Sequence, residues 1–418
     1  MKRLAIIGTG IAGLGCAHFL HRRYALSLYE KNDYPGGHAN TVTVTERQRS
    51  VPIDTGFMVF NRVTYPNLTR LFEELRVAVK PTDMSFSVMH QPTGLEYCGS
   101  SLNHLFAQRR NLVRPRFWRM LGQINRFNQE AITALNEPRH QSQTLGDYVR
   151  ERGYGKDFLQ LYLVPMSSAV WSTPPGLMLE FPAVTLLRFF HNHGFLGLHT
   201  QHPWLTVTNG SQAYVAKLTA PFRDALRLKR GATSVRREGG QVRVTDSTGK
   251  SELFDQVILA SHADESLGLL TDADERERAV LGEFKYQTNS ALLHTDASVM
   301  PRTRLCWAAW NYRMAAGRAP STIYWMNRLQ GVSDEQNYFV SINGEDSVNP
   351  NTVLKRIHYE HPVFSLGAIR AQAELPGLNA RMNNVYFCGS YFRYGFHEDA
   401  FTSALELCRQ LTGERLLP

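Results

Sequence analysis

The feature that most constrains this 418-residue chain is the run Gly8-Thr-Gly10-Ile-Ala-Gly13-Leu-Gly15. It follows a short apolar segment, Lys2 to Ile7, and opens a stretch whose apolar positions Ile11, Leu14, Ala17 and Leu20 recur at helical spacing. Gly8 permits a tight turn, Gly10 lets backbone approach a pyrophosphate, and Gly13 lets the helix pack closely on the strand. The helix N-terminus adds free N–H groups and positive potential. Ala25 to Tyr29 reads as a second strand, and Glu30 at its end stands twenty residues after Gly10. A carboxylate there accepts hydrogen bonds from ribose hydroxyls and disfavours a 2′-phosphate. Strand, turn, helix, strand and terminal acid together predict an α/β dinucleotide-binding fold.

With 43% apolar residues the chain can bury a large core. Its formal charge of +9 favours an anionic partner. Cys16, Cys98, Cys306, Cys388 and Cys408 are scattered and never in a Cys-x-x-Cys spacing, so a disulfide framework or zinc ribbon is not indicated and a reducing, cytoplasmic setting is expected. Apolar runs are soon broken by Arg, His or Asn, so no spanning helix is expected. The glycine turn follows the first strand directly, so no secretory leader is expected.

Beyond Glu30 the chain reads Lys31-Asn-Asp-Tyr-Pro-Gly36-Gly37-His38, then Val51-Pro-Ile-Asp54-Thr-Gly56-Phe57-Met-Val59-Phe60. These residues resemble the flavin-containing amine oxidase and phytoene desaturase superfamily, in which the acidic residue leads into a Gly-Gly-Arg turn and an Asp-x-Gly strand lies along the flavin. His38 replaces the usual arginine. A second island of resemblance runs from Trp204 to Leu270. It includes the turn at Thr208 to Ser211, with Asn209 replacing the family's first glycine, and two strands around Ala232 to Arg237 and Gln241 to Asp246 joined by Gly239-Gly240. The third is the run Val385 to Cys408, where a strand ends at Gly389 and a helix begins near Glu398.

The resemblance implies a Rossmann-like FAD-binding domain of p-hydroxybenzoate-hydroxylase-like topology with an interleaved α+β substrate domain. It implies noncovalent FAD held by Gly8, Gly10, Ile11, Ala12, Gly13, Glu30, Lys31, Gly37, His38, Asp54, Gly56, Phe57, Val59, Val235, Gly389, Ser390, Gly395, Phe396, His397 and Ala400. Residues 1–62, 203–270 and 384–418 are expected to form the FAD domain, and 63–202 with 271–383 the substrate domain.

Between Tyr97 and Gln129 stand six arginines and no acidic residue, interleaved with Leu, Val, Phe and Trp and divided by Pro115. Both halves can be drawn as amphipathic helices, as suits an anionic membrane surface or equally a core-facing helix with a solvated side. No nucleic-acid module accompanies the run, so no nucleic-acid partner is expected. Leu161 to Leu198 is rich in Phe, Leu and Met, as in an apolar tunnel or an ordinary helical core. His191, His193, His199 and His202 lack the carboxylates, cysteines and spacing of a zinc site, and no metal is expected.

The segment Pro165-Met-Ser-Ser-Ala-Val-Trp-Ser-Thr-Pro174, the His191-Asn-His193-Gly sequence and the terminal Phe387 to Asp399 run look closest to a bacterial branch. Its members resemble the flavoprotein domain of plant cyclopropane fatty acid synthases. That likeness implies dehydrogenation of methylated or unsaturated acyl chains of phospholipids, a peripheral position on the inner membrane face, and an acyl-modifying methyltransferase as partner. His193, His191, Tyr394 and His397 are the candidate proton acceptors. An amine oxidase is the alternative, weakened because no lysine occurs around Asn289 to Ala291 and only Phe396 clearly supplies an amine-cage ring. A redox-neutral isomerase or scaffold is the third.

Overall fold

A computed structural model describes residues 1–197 and 200–417; His199 lies outside them. The glycine turn joins strand β1 (Lys2–Ile7) to helix α1 (Ile11–Leu20), which leads to strand β2 (Tyr24–Tyr29). These belong to a five-stranded parallel sheet in the order Val385–Phe387, Gln256–Leu259, β1, β2, Leu226–Arg227. Its central strand is apolar on both faces, because α1 and the C-terminal helix His397–Thr412 cover one side while a three-stranded antiparallel sheet and further helices cover the other. In that small sheet Glu238 pairs with Gln241, and Gly239 and Gly240 both take positive φ, as a two-residue hairpin turn requires.

The second body is built on a seven-stranded mixed sheet in the order Val353–Val363, Lys285–His294, Phe339–Ile342, Ser321–Trp325, Trp310–Met314, Phe86–His90, Leu95–Cys98. Against it lies a helical layer from Pro115 to Asn192, whose core includes Phe127, Trp171, Phe181 and Phe190. Of the run from Tyr97 to Gln129, only the part after Pro115 enters a long helix, Pro115–Ala134; the first half is one helical turn, Leu102–Leu105, and a 3₁₀ segment, Arg109–Val113.

The chain crosses between the bodies later than position 63. Helix Pro66–Glu74 packs Leu68, Leu71 and Phe72 into the nucleotide-side core, and its first N–H groups, on Asn67 and Leu68, donate to the Glu398 carboxylate at 3.0 and 2.9 Å. Strand Val79–Pro81 then pairs with Leu205–Val207. Helices Glu275–Leu281, Leu366–Gln372 and Leu375–Asn379 also pack on the five-stranded sheet. Nothing in the composition at these crossings differs from their surroundings. Among the described residues no helix is long and apolar enough to cross a membrane.

Candidate functional site

At the turn the three glycines have different reasons. Gly8 has φ +97°, and a β-carbon there would lie 2.9 Å from Ala260 O. A β-carbon on Gly13 would collide with Gly8 O, so this glycine sets the helix-to-turn distance. A β-carbon on Gly10 would meet no protein atom within 4 Å. The space before α1 is therefore open, and no side chain caps the helix. Glu30, buried at the end of β2, accepts from Thr9 N (3.1 Å), Thr9 Oγ1 (2.5 Å), Asn32 N (2.9 Å) and Asn32 Nδ2 (2.8 Å). The two side-chain donors can rotate away and leave oxygen lone pairs to hydroxyls of a bound ribose.

From this turn a cleft of about 1640 Å³ runs between the two bodies. Gly8, Gly10, Ile11, Ala12, Glu30, Lys31, Gly37, His38, Gly56, Phe57, Val59, Gly389, Ser390, Gly395, Phe396, His397 and Ala400 line it. Gly13, Asp54 and Val235 do not. Asp54 is buried and fully used by protein donors: Thr41 Oγ1 (2.6 Å), Ser211 N and Oγ (both 2.8 Å) and Gln330 Nε2 (2.7 Å). It locks the hairpin of strands Thr41–Glu46 and Arg49–Asp54, the Gly210 turn and the helix Met326–Gln330 together. Val235 faces the core and its carbonyl accepts from Thr271 N at 3.1 Å, so Gly231 and Ala232 supply the cleft wall at this strand. Cys388, beside Gly389, has its Sγ 3.7 Å from Cys16 Sγ in the core and is not on the cleft.

His38 stands where the resemblance expects arginine. Its ring stacks on Tyr359 at 4.8 Å and lies 5.5 Å from His361, and burial pushes its pKa well below the ordinary histidine value. It is a neutral imidazole in an aromatic stack. Sequence reasoning missed its partners, since Tyr359 and His361 come from the edge strand Val353–Val363. Nearby His262, Glu265 and Glu360 gather their ligating atoms within 4.8 Å, but Lys31 Nζ donates to Glu265 at 2.6 Å and already supplies the cation.

Further along, the cleft wall is aromatic: Trp171, Phe189, Phe195, Trp204, Trp310, Tyr324 and Phe396, with Met58, Val59, Met84 and Val170. The charged lining residues belong to the nucleotide segments or to the strand Val353–Val363. Phe189 and Phe396 stack at 4.8 Å, 20° from parallel, which leaves no room between them for a third group. At Asn289 to Ala291 there is no cleft-facing cation: Asn289 bonds His361 and Asn343, and Ala291 is core.

The four candidate proton acceptors separate. His193, closing helix Ala183–Asn192, stacks on Phe189 at 3.8 Å and lines the cleft. Its Nδ1 lies 3.0 Å from Phe189 O, and a carbonyl can only accept, so the ring proton sits on Nδ1 and Nε2 keeps a lone pair. Burial lowers its pKa to about 4. His397 stacks on Phe57 at 3.9 Å, and its Nε2 is 2.6 Å from Tyr214 Oη. The phenol is the better acid and imidazole the better acceptor, so Tyr214 donates and the His397 lone pair is occupied. Burial lowers its pKa to about 3. His191 lies on the exposed side of its helix and does not line the cleft. Tyr394 is half-buried outside it, presenting its carbonyl to Trp171 Nε1 at 3.2 Å. Of the other histidines considered for a metal, His202 bonds Asn192 O at 3.0 Å.

An open helix N-terminus at Gly10, a buried acid at the end of β2 and a second helix whose first turn lines the cleft define a dinucleotide-binding protein. The family model described as flavin containing amine oxidoreductase matches residues 11–336, and the chain belongs to that family. A stretch of 98 residues, 23% of the chain, is 32% identical to 1-hydroxycarotenoid 3,4-desaturase of Flavobacterium sp. (strain P99-3). That match spans 18% of the desaturase, under a fifth of its length. Among solved structures, a fatty acid isomerase from P. acnes that produces CLA is similar with TM-score 0.71 and 15% identity over 98% of this chain and 99% of the other. A putrescine oxidase double mutant is similar with TM-score 0.69 and 12% identity over 99% of each chain. Reduced UDP-galactopyranose mutase is similar with TM-score 0.67 and 16% identity over 99% and 96%. The cofactor is FAD. The residues present fit it, because the space that a β-carbon on Gly10 would enter is free of protein atoms and the acid expected at the ribose is in place.

Proposed function

We propose that this FAD-dependent oxidoreductase dehydrogenates methylated or unsaturated acyl chains of phospholipids. The observation that carries the reading is the wall around Trp171, Phe189, Trp204 and Phe396, which is aromatic and aliphatic, with neutral His193 and His397 and the hydroxyls of Ser172 and Tyr324 among its polar groups. An apolar chain gains about 0.8 kcal/mol per methylene buried in such a wall. A cationic amine would find neither a carboxylate there nor a gap between the stacked rings of Phe189 and Phe396.

FAD, when bound, supplies a two-electron acceptor for a hydride leaving carbon. The second hydrogen must leave as a proton, and His193 Nε2 is the free lone pair on the aromatic wall. Its Nδ1–H, held by Phe189 O, fixes both ring orientation and tautomer. His397, with Nε2 occupied by Tyr214, carries its ring proton on Nδ1 and so is a donor and not an acceptor. The packed rings orient the chain and exclude water.

The test is anaerobic mixing of the FAD-loaded protein with phospholipids carrying methylated acyl chains. Bleaching of the flavin band is the expected result. Bleaching by amines and not by lipids would return the amine oxidase reading, and a shifted double bond without net bleaching would make the protein an isomerase.

A further inference from the structure

We propose that the face formed by the turn Leu102–Leu105, the 3₁₀ segment Arg109–Val113 and the start of helix Pro115–Ala134 docks on an anionic phospholipid bilayer. The observation is a knot of large apolar side chains left in water. Leu102 is 75% exposed, Val113 82%, Trp118 51% and Leu112 48%. Single exposed apolar residues need no explanation, but four on adjoining turns do. They form one surface. Trp118 Nε1 donates to Leu112 O at 2.8 Å, the Trp118 ring lies 5.2 Å from Phe106, and Arg109 ties the two turns by donating to Phe106 O at 2.8 Å. Leu305, 40% exposed, joins from a distant part of the chain, where the turn Arg304–Cys306 packs on Leu102–Leu105.

The occupant follows from charge. Arg109, Arg110, Arg114, Arg116 and Arg119 are exposed and interspersed with the apolar residues of the same segment, and no Asp or Glu occurs between Tyr97 and Gln129. Among the described residues Arg116 has an acidic partner, Asp157, whereas Arg114 and Arg119 have none. Arg109 and Arg110 donate to backbone carbonyls, which leaves their charge unneutralised. Apolar side chains interspersed with arginines that outnumber their one acidic partner, with a tryptophan at the boundary, match an anionic headgroup layer over an acyl interior. A second copy of the chain would set arginine against arginine. Farther along, helix Pro115–Ala134 packs Phe127 into the core that holds Trp171 and Phe189, which anchors this face to the body of the protein. The proposal rests on the surface and holds whatever the cleft oxidises.

The test is flotation of the full-length, FAD-loaded protein with vesicles of phosphatidylglycerol and phosphatidylcholine, against phosphatidylcholine alone. Wild type should bind the anionic vesicles about tenfold or more better, and this binding should weaken at high salt. The double variants L102D/V113D and R114A/R119A should each lose about tenfold or more while keeping wild-type FAD content and Tm. Those two controls separate lost docking from lost folding. Equal binding to both vesicles, or undiminished binding by either variant, would overturn the proposal. Concentration-dependent self-association abolished by L102D/V113D, without vesicle binding, would make the face a contact between copies and equally overturn it.

Discussion

Tyr214 and His397 are joined by a 2.6 Å hydrogen bond between the Tyr214 hydroxyl and His397 Nε2, and this bond decides which histidine of the cleft can take a proton. His397 has spent its lone pair, whereas His193, with its proton fixed on Nδ1, has not. Replacing His193 by Asn should slow anaerobic flavin reduction by about 10²- to 10⁴-fold with FAD still bound. His397→Asn should cost far less. Because the His193 pKa is about 4, the rate should be flat near neutrality and fall only as acid protonates Nε2. Stopped-flow reduction across pH checks both statements, and a full-rate His193 variant would remove it from the proton path.

Gly10 and Gly13 should fail in different ways when changed to Ala. A β-carbon on Gly13 collides with Gly8 O, so the helix must move off its turn and the protein should be destabilised by about 1 to 3 kcal/mol or more, as for an overpacked core. A β-carbon on Gly10 meets no protein atom, and its φ of −64° suits alanine. Gly10→Ala should therefore melt as the wild-type apoprotein does and bind FAD more weakly. Thermal unfolding of apoprotein with flavin fluorescence titration separates the two.

The glycine turn, Glu30 and the C-terminal helix were legible because each is a local pattern with a local cause. What was not legible came from distance. Tyr359 and His361 reach His38 from a strand more than three hundred residues later in the chain, and Leu305 completes a surface otherwise built from residues 102–118. Asp54 reads as a flavin contact by position, yet its four bonds go to Thr41, Ser211 and Gln330, a set that no single segment announces. Val235 is a related case: a strand offers its backbone to whatever runs beside it, here Thr271, and at this strand Gly231 and Ala232 line the cleft.

Asp54→Ala should accordingly act as a structural lesion. It leaves buried donors on Ser211, Thr41 and Gln330 without an acceptor, each costing about 1 to 3 kcal/mol. Loss of both Tm and FAD content is expected. A variant with native Tm and impaired FAD binding alone would instead restore Asp54 as a direct contact.

Stability should depend on pH through buried groups of opposite sign. His193 and His361 have folded pKa values lowered by burial to about 4, and His397 to about 3. Between the ordinary histidine value and these, the unfolded chain takes up protons that the fold refuses, so stability falls as pH falls, by up to about 1.4 kcal/mol per pH unit for each group. Asp399 runs the other way, because burial raises its pKa to about 7. Its protonated form is the one the fold favours, and its contribution is lost as pH rises from the ordinary aspartate range to about 7. Chemical denaturation at several pH values should show wild type losing ground to Asp399→Asn over that window and holding a constant difference above it.

The most direct test of the account is the mass of the lipid recovered after one anaerobic turnover with methylated-acyl phospholipid. Acyl dehydrogenation yields a chain lighter by two hydrogens, in amount equal to the flavin bleached, with the yield lost in His193→Asn. An acyl chain of unchanged mass beside flavin that only an amine can bleach would contradict it.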